Sequence, residues 1–219
     1  MRNHPLAGLL LGAAFVALVS GTAQAQMSDN VIKIGMLSDR SGIYADINGE
    51  GSAVAARLAA EEFGNAINGT KVEIIVGDHQ NKADIAANLA RQWIDTEKVD
   101  VVADVPNSAA ALAVQGITRD KKRLFLMSGP GSTDLTGKEC SPYGFLWTWD
   151  NHAVASSTAR ALVEQGKKSW FFITADYAFG HSLETEAANT VKQLGGTIKG
   201  GVRHPLGASD FSSFLLQAQ

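Results

Sequence analysis

Short apolar runs alternate along the chain with longer segments whose apolar residues recur at helical spacing. The runs that predict strands are 31–37, 72–76, 99–103, 124–127, 170–174 and 197–202. The segments that predict helices are 50–63, 83–96, 108–118, 151–165, 180–194 and a last one that begins near 210. In the second of these, Ile85, Leu89 and Trp93 recur every four residues. This alternation predicts an α/β fold in which a parallel sheet carries helices on both faces.

The alternation is interrupted once and then restarts. Residues 128–144 are rich in Gly, Ser, Thr and Pro, which predicts a loop, and an extended aromatic segment follows at 145–149. We therefore expect two units, an N-terminal α/β unit at 26–148 and the start of a second at 149–219. The second unit stops in the first turns of a helix, on an apolar Phe-Leu-Leu run. We expect the chain to be a truncated form of a longer protein.

The first 25 residues have the pattern of an export signal. Arg2 supplies a positive charge, an apolar run extends over 6–19, and Ala23-Gln24-Ala25 is a small-x-small cleavage site. The run is shorter than the roughly 20 apolar residues of a membrane span. We expect cleavage after Ala25 and delivery to the periplasm; the alternative is a buried N-terminal helix.

Composition and motifs argue against several classes of protein. Lys+Arg 19 against Asp+Glu 22 gives a net charge of -3, which excludes a basic nucleic-acid binder. A single cysteine excludes a disulfide framework and a four-cysteine zinc site. No Gly-x-Gly-x-x-Gly follows the first strand, no Gly-x-Ser-x-Gly elbow occurs, and the histidines have no zinc-ligand spacing. We expect neither catalysis nor a cofactor.

Loops after the predicted strands hold the candidate ligand-binding residues, because ligands of open α/β sheets bind beyond the carboxyl ends of the strands. Loop 38–46 presents Tyr44, either as a stacking partner for a ligand or as an ordinary surface tyrosine. Loop 104–108 places Asn107 or Ser108 at a helix N-cap. The N–H groups of that helix start can hold a carboxylate, and capping alone is the alternative.

Two further loops offer anion-binding and aromatic groups. In loop 128–134, Gly131 allows a ligand to approach the backbone, and the hydroxyls of Ser132 and Thr133 can donate to an anion. The alternative is a plain Gly-rich turn. In loop 175–180, Tyr177 and Phe179 can cover an apolar or aromatic ligand, and the neighbouring Asp176 can pair with a ligand ammonium.

Taken in order, these motifs resemble the leucine/isoleucine/valine-type, or type I, periplasmic substrate-binding proteins of ABC importers. The segments that carry the resemblance are IKIGMLSDRSGIYADINGEGSAVAARLAAEE, the Gly77-Asp78 strand end with Asn81-Lys82-Ala83, DVPNSAAALAV, MSGPGSTDLTG, and ITADYAFGHSLETEAANTVKQLGG. The resemblance covers the whole mature chain. It implies two doubly wound parallel-sheet lobes joined by a hinge, with the second lobe incomplete here.

The resemblance also implies roles for the candidate residues. In the family, the loop after the third strand and the Ser/Thr loop after the fourth hold the ligand carboxylate. By that match Asn107 and Ser108 fall in the first loop, and Gly131, Ser132 and Thr133 fall in the second. Serine is frequent in the family where Asn107 falls, and the DVPNSA form resembles relatives that take aromatic or other organic carboxylates.

The remaining candidates match the aromatic wall of the family site. Tyr44 matches an aromatic residue that caps the ligand, and Tyr177 with Phe179 matches the second-lobe segment that closes over it. Trp149, at the first hinge crossing, either lines the pocket or packs at the hinge. The family's second-lobe acid that binds an ammonium lies beyond residue 219.

By resemblance, the chain is a monomeric, non-enzymatic receptor that captures a small carboxylate and delivers it to ABC importer membrane permease subunits. Three alternatives stay open at this point. The same fold also serves as a periplasmic ligand sensor, which the sequence does not separate from a transport receptor. The second alternative, an exported hydrolase or oxidoreductase, would need a catalytic motif, and none is present. The third alternative is that the truncated chain is an inactive product.

Overall fold

The computed structural model describes residues 29–219, so the predicted signal segment lies outside the described residues. The strands are β1 (Val31–Ser38), β2 (Ala66–Ile67), β3 (Thr70–Asp78), β4 (Val101–Asp104), β5 (Leu124–Met127), β6 (Gly144–Leu146), β7 (Ser169–Ala175) and β8 (Thr197–His204). The α-helices are α1 (Gly49–Glu62), α2 (Ala83–Asp95), α3 (Ser108–Lys121), α4 (Asn151–Glu164), α5 (Ala178–Gln193) and α6 (Ser212–Ala218).

Six strands form the first sheet, in the order β2-β3-β1-β4-β5-β6. All neighbours in it are parallel except β2 and β3. Strand β3 is added on one side of β1, and the next parallel strand, β4, is added on the other side. The topological switch point of the sheet therefore lies between the carboxyl ends of β1 and β4, where open α/β sheets bind ligands.

Helices α2 and α3 cover one face of this sheet, and Trp93 of α2 sets how closely they approach. A Cβ added at Gly35 would lie 2.5 Å from Trp93 Cε3, and one at Gly77 would lie 2.6 Å from Cζ2. The indole therefore occupies the space over two strands that lack side chains there. Leu37, Phe125 and other fully buried residues complete the core of this face.

Helix α1 lies on the opposite face and leaves part of it open. An apolar groove runs beside it, lined among others by Met36, Ile74 and Leu126. Phe63 is 74% exposed and Trp147 is 60% exposed along this side. Helices on both faces confirm the predicted α/β class. Within the described part of the chain, no helix combines the length and apolar character that a membrane crossing requires.

A second, two-stranded parallel sheet, β7-β8, follows with α4, α5 and α6. Its small core joins Ala159, Val163 and Val191. The predicted boundary between 148 and 149 falls in the connection between β6 and α4.

The structure adds one strand that the apolar pattern does not predict and shortens another. Strand β2 pairs with β3 through a tight hairpin at Asn68-Gly69, whose φ values are 49° and 82°. Asn-Gly is the dipeptide that favours this mirror-image turn, so the sequence does mark the hairpin. The two apolar residues before the turn are too few to predict a strand by themselves. The extended segment predicted at 145–149 pairs only over Gly144–Leu146.

Candidate functional site

A cavity of about 240 Å³ lies at the carboxyl ends of the first sheet, against the start of α5. Its lining residues come from both units: Tyr44, Ile47, Asn48, Pro106, Gly129, Trp149, Tyr177 and Phe179. Four of the predicted site residues are therefore brought together, namely Tyr44, Trp149, Tyr177 and Phe179. The other five, Asn107, Ser108, Gly131, Ser132 and Thr133, are not among its lining residues.

Four of the eight lining residues of the cavity are aromatic. The Trp149 and Phe179 rings meet edge to face, with centroids 5.9 Å apart at 81°, and Tyr177 stacks on Phe179 at 5.8 Å. The hydroxyls of Tyr44 and Tyr177 are hydrogen-bonded at 2.5 Å across the two units. Burial, and then this bond, raises the pKa of the Tyr177 phenol well above its ordinary value, so the hydroxyl stays neutral. The wall is apolar apart from a few uncharged polar groups.

The loop that carries Tyr44 is held by a buried carboxylate, Asp39. Its two oxygens accept the backbone N–H groups of Gly42 at 2.7 Å and of Tyr44 at 2.9 Å. A Cβ at Gly42 would lie 2.5 Å from Asp39 Oδ1, so only glycine fits there without a shift. Asp39 was not among the predicted site residues. Its position directly after β1, at the carboxyl end of a strand, could have marked it as a candidate.

A second buried carboxylate, Asp104, joins three elements at the switch point. It accepts Ser38 Oγ at 2.7 Å, Ser128 Oγ at 2.8 Å and Asn48 Nδ2 at 3.0 Å. Asp104 and Val105 have φ values of 79° and 55°, which is a strained conformation for a β-branched residue. Strain of this kind persists only where the surroundings fix the turn. Asp104 was not among the predicted site residues, although it directly follows the predicted strand 99–103 and begins the loop 104–108.

Asn107 is the N-cap of α3, which confirms the predicted capping position. Its Oδ1 accepts Ala110 N–H at 3.0 Å and its Nδ2 donates to Asn81 Oδ1 at 2.7 Å. Ser108 is fully buried, and its Oγ accepts the N–H groups of Gly131 at 3.2 Å and Ser132 at 3.3 Å. Both side chains thus fix the loops around the cavity, and a ligand contact for either stays a prediction.

The Gly-rich loop also uses its hydroxyls inside the protein. The Oγ of Ser132, which is buried, accepts Asp134 N–H at 3.4 Å. Thr133 reaches the second unit: its N–H donates to Ser182 Oγ at 3.1 Å, and its Oγ1 lies 2.9 Å from that oxygen and donates to Glu186 Oε1 at 3.3 Å. The loop therefore links the two units, and anion binding by these hydroxyls stays a prediction.

Trp149 fits against Gly131, where an added Cβ would lie 2.3 Å from Trp149 Cζ3. Beside it, Asn151 donates its backbone N–H to Gly131 O at 2.7 Å and its Nδ2 to Phe179 O at 2.8 Å. Asn151 was not among the predicted site residues, and nothing in its sequence context marks it.

No charged residue is among those that line the cavity. Asp176 bonds to His181 Nε2 at 2.7 Å and lies 3.6 Å from Arg203 Nη1, and it does not line the cavity. His79, which directly follows β3, is fully buried, and neither ring nitrogen has a partner in the structure. Burial lowers its pKa, against the opposing pull of Asp39, Asp78 and Asp104. In residues 29–219 no cluster of His, Cys, Asp or Glu has the geometry of a metal site.

Comparisons with known proteins fit this geometry. The family described as periplasmic binding protein matches residues 31–219. A solved periplasmic binding protein from Burkholderia mallei is 48% identical, with a TM-score of 0.85 over 87% of this chain and 51% of that one. A branched chain amino acid ABC transporter periplasmic ligand-binding protein from Burkholderia xenovorans is 36% identical, with a TM-score of 0.71 over 85% and 50%.

A third structure, a solute binding protein of an ABC transporter from Rhodopseudomonas palustris, was solved with 3,4-dihydroxy benzoic acid. It is 25% identical, with a TM-score of 0.77 over 86% of this chain and 51% of that one. The chain thus spans about half the length of the solved structures it matches. No curated protein matches it. The family match over residues 31–219 and the similarity to the Burkholderia mallei protein show that the chain belongs to the periplasmic binding protein family.

Proposed function

We propose that this chain is the ligand-capturing part of a periplasmic solute-binding protein of an ABC importer. It takes a small aromatic carboxylate into the cavity between its two units and delivers it to the membrane permease. The observation that carries the proposal is the aromatic cavity itself, whose wall is drawn from both units. Closure of two units over a ligand is a known structural transition of periplasmic binding proteins.

The chemistry of the wall favours an aromatic ligand over an amino acid. Trp149, Tyr177 and Phe179 offer faces and edges for a ring. None of the lining residues is charged, so no lining carboxylate is there to pair with an ammonium group. The dihydroxybenzoate bound by the Rhodopseudomonas protein supports an aromatic acid.

Helix starts supply positive potential for the ligand carboxylate in this proposal. Helix α5 begins at Ala178, next to the lining residue Tyr177, and no side chain caps its first N–H groups. Helix α3 begins at Ser108, close to the lining residue Pro106, but there Asn107 already caps an N–H group. Free N–H groups and the helix dipole favour an anion, so we place the carboxylate nearer α5.

Calorimetric titration of the purified chain with benzoate, 4-hydroxybenzoate and leucine tests this function. We expect at least one of the two aromatic acids to bind with a Kd at least about tenfold below that of leucine, a difference of about 1.4 kcal/mol. Phe179→Ala should weaken the aromatic acid. Exposed Phe63→Ala, outside the cavity, is the control. Leucine binding more tightly than both acids would favour an amino-acid receptor, the class named for the Burkholderia xenovorans protein.

A further inference from the structure

Asn48 contributes the only side-chain amide of the cavity wall. It ends the loop after β1, one residue before α1, and lies at the switch point of the sheet. An amide carries two N–H donors on Nδ2 and an acceptor, Oδ1, so its effect on a ligand depends on its orientation. That orientation is fixed by a neighbour.

Asp104 sets the orientation of this amide. Asn48 Nδ2 donates to Asp104 Oδ1 at 3.0 Å, and a carboxylate can only accept hydrogen bonds. The reversed amide would place two acceptor oxygens against each other. Asp104 is itself immobilised, since it is 1% exposed and also accepts from Ser38 and Ser128.

This bond uses one of the two hydrogens on Nδ2 and leaves the amide acceptor, Oδ1, for a ligand. Among the described residues, Asn48 Oδ1 has no hydrogen-bond partner. The hydroxyls of Tyr44 and Tyr177 bond to each other, which uses one of their two hydrogens. A ligand that brings an O–H or N–H group to this end of the cavity gains a partner, whereas a ligand without one leaves Oδ1 unpaired.

We propose that Asn48, held by the positioning residue Asp104, selects aromatic carboxylates that carry a hydrogen-bond donor such as a ring hydroxyl. This selection rests on the proposed function and narrows its ligand class. The ligand's carboxylate points toward the start of α5 and its hydroxyl toward Asn48. Asp104 acts on selection only through the orientation of the Asn48 amide.

The test is the ratio of two affinities, measured by calorimetry on the purified chain. Benzoate is compared with 2-, 3- and 4-hydroxybenzoate. We expect the best hydroxybenzoate to bind the unaltered chain about tenfold more tightly than benzoate. Asn48→Leu, which keeps the size and removes the acceptor, should bring that ratio to about one. Asp104→Asn, which frees the amide to turn, should lower the ratio by about threefold or more.

Asn88→Leu on the outer face of α2 is the matched control and should leave the ratio unchanged. Asn48→Leu alone decides the outcome if Asp104→Asn does not fold, as judged by circular dichroism. If benzoate binds and no hydroxybenzoate binds more tightly, donor selection is wrong while the proposed function stands. A preference that survives Asn48→Leu also overturns the proposal. Failure of every aromatic acid to bind overturns the proposed function and this selection together.

Discussion

The hydroxyls of Tyr44 and Tyr177, 133 positions apart in the chain, form a hydrogen bond of 2.5 Å that joins the first unit to the second. Tyr44 is held in place by Asp39, and Tyr177 is the residue before α5. The bond therefore connects two fixed points across the cavity. Both residues were predicted as ligand contacts, and the structure adds that they contact each other.

This pair gives the first prediction, for a double-mutant cycle of Tyr44→Phe and Tyr177→Phe. Each change removes one hydroxyl and keeps the ring, so each should lower the free energy of unfolding by about 0.5–1.5 kcal/mol. The double variant should cost no more than about the larger single change, because both break the same bond. Chemical denaturation provides the values. Tyr143→Phe is the control, and additive losses in the cycle would contradict the bond.

The second prediction concerns the packing of Trp149 on Gly131. Gly131→Ala places a Cβ where the indole lies, 2.3 Å from Cζ3, so the ring must move. We expect a loss of about 1–3 kcal/mol in stability, as for other overpacked sites, and weaker binding of the aromatic acid. Gly116→Ala is the matched control, because a Cβ there meets nothing within 4 Å and the residue lies inside α3. Equal effects of the two substitutions would disprove the contact.

The third prediction concerns the link that Thr133 makes to α5. Thr133→Val keeps the shape but removes Oγ1, which contacts Ser182 and Glu186. Stability should fall by about 1 kcal/mol or more. The Ser132→Ala, Thr133→Ala double variant should weaken aromatic-acid binding at least about tenfold, or 1.4 kcal/mol.

Thr136→Val on the exposed part of the same loop serves as its control. Unchanged affinity in the Ser132, Thr133 double variant would remove the predicted anion role of these hydroxyls, and unchanged stability of Thr133→Val would contradict the link to α5.

The fourth prediction is a pH dependence that originates at His79. Its pKa is lowered by burial, so the unfolded chain binds a proton that the folded chain resists. Stability from this group is complete above the unfolded value near 6.5 and is lost as the pH falls below it. The exposed His152 acts in the opposite direction, because its hydrogen bond to Glu186 raises its pKa, and its contribution is lost as the pH rises through that raised pKa.

Denaturation of the unaltered chain and of His79→Leu between pH 5 and pH 7.5 separates the two. As the pH falls, the unfolding free energy of the unaltered chain should decrease relative to that of His79→Leu. The control is His152→Ala, which should remove only the loss of stability that His152 causes as the pH rises. A difference independent of pH would mean that the ring protonates as readily in the folded chain as in the unfolded one.

Much of the fold was predictable because its signals are local. Apolar runs and four-residue spacings predict β1, α2, β5 and α5 to within a few residues of their observed ends. The aromatic wall was also predictable in part, because the ends of parallel strands meet at one edge of the sheet. Tyr44 and Tyr177 follow strands of different units and converge there.

The rest of the site depends on contacts between residues far apart in sequence. The three donors that meet at Asp104 lie 24 to 66 positions away from it, and no local pattern marks them. The same holds for Asn151, which joins Gly131 to Phe179. The sequence does not show whether the hydroxyls of the Gly-rich loop are free, and only the folded chain shows that the Thr133 hydroxyl bonds to Ser182 and Glu186.

A crystal structure of the chain with bound benzoate or 4-hydroxybenzoate tests the central claim most directly. We expect the ligand ring between Trp149, Tyr177 and Phe179, with its carboxylate toward the start of α5. Ligand density at another place, such as the apolar groove beside α1, would contradict the assignment of this cavity as the binding site.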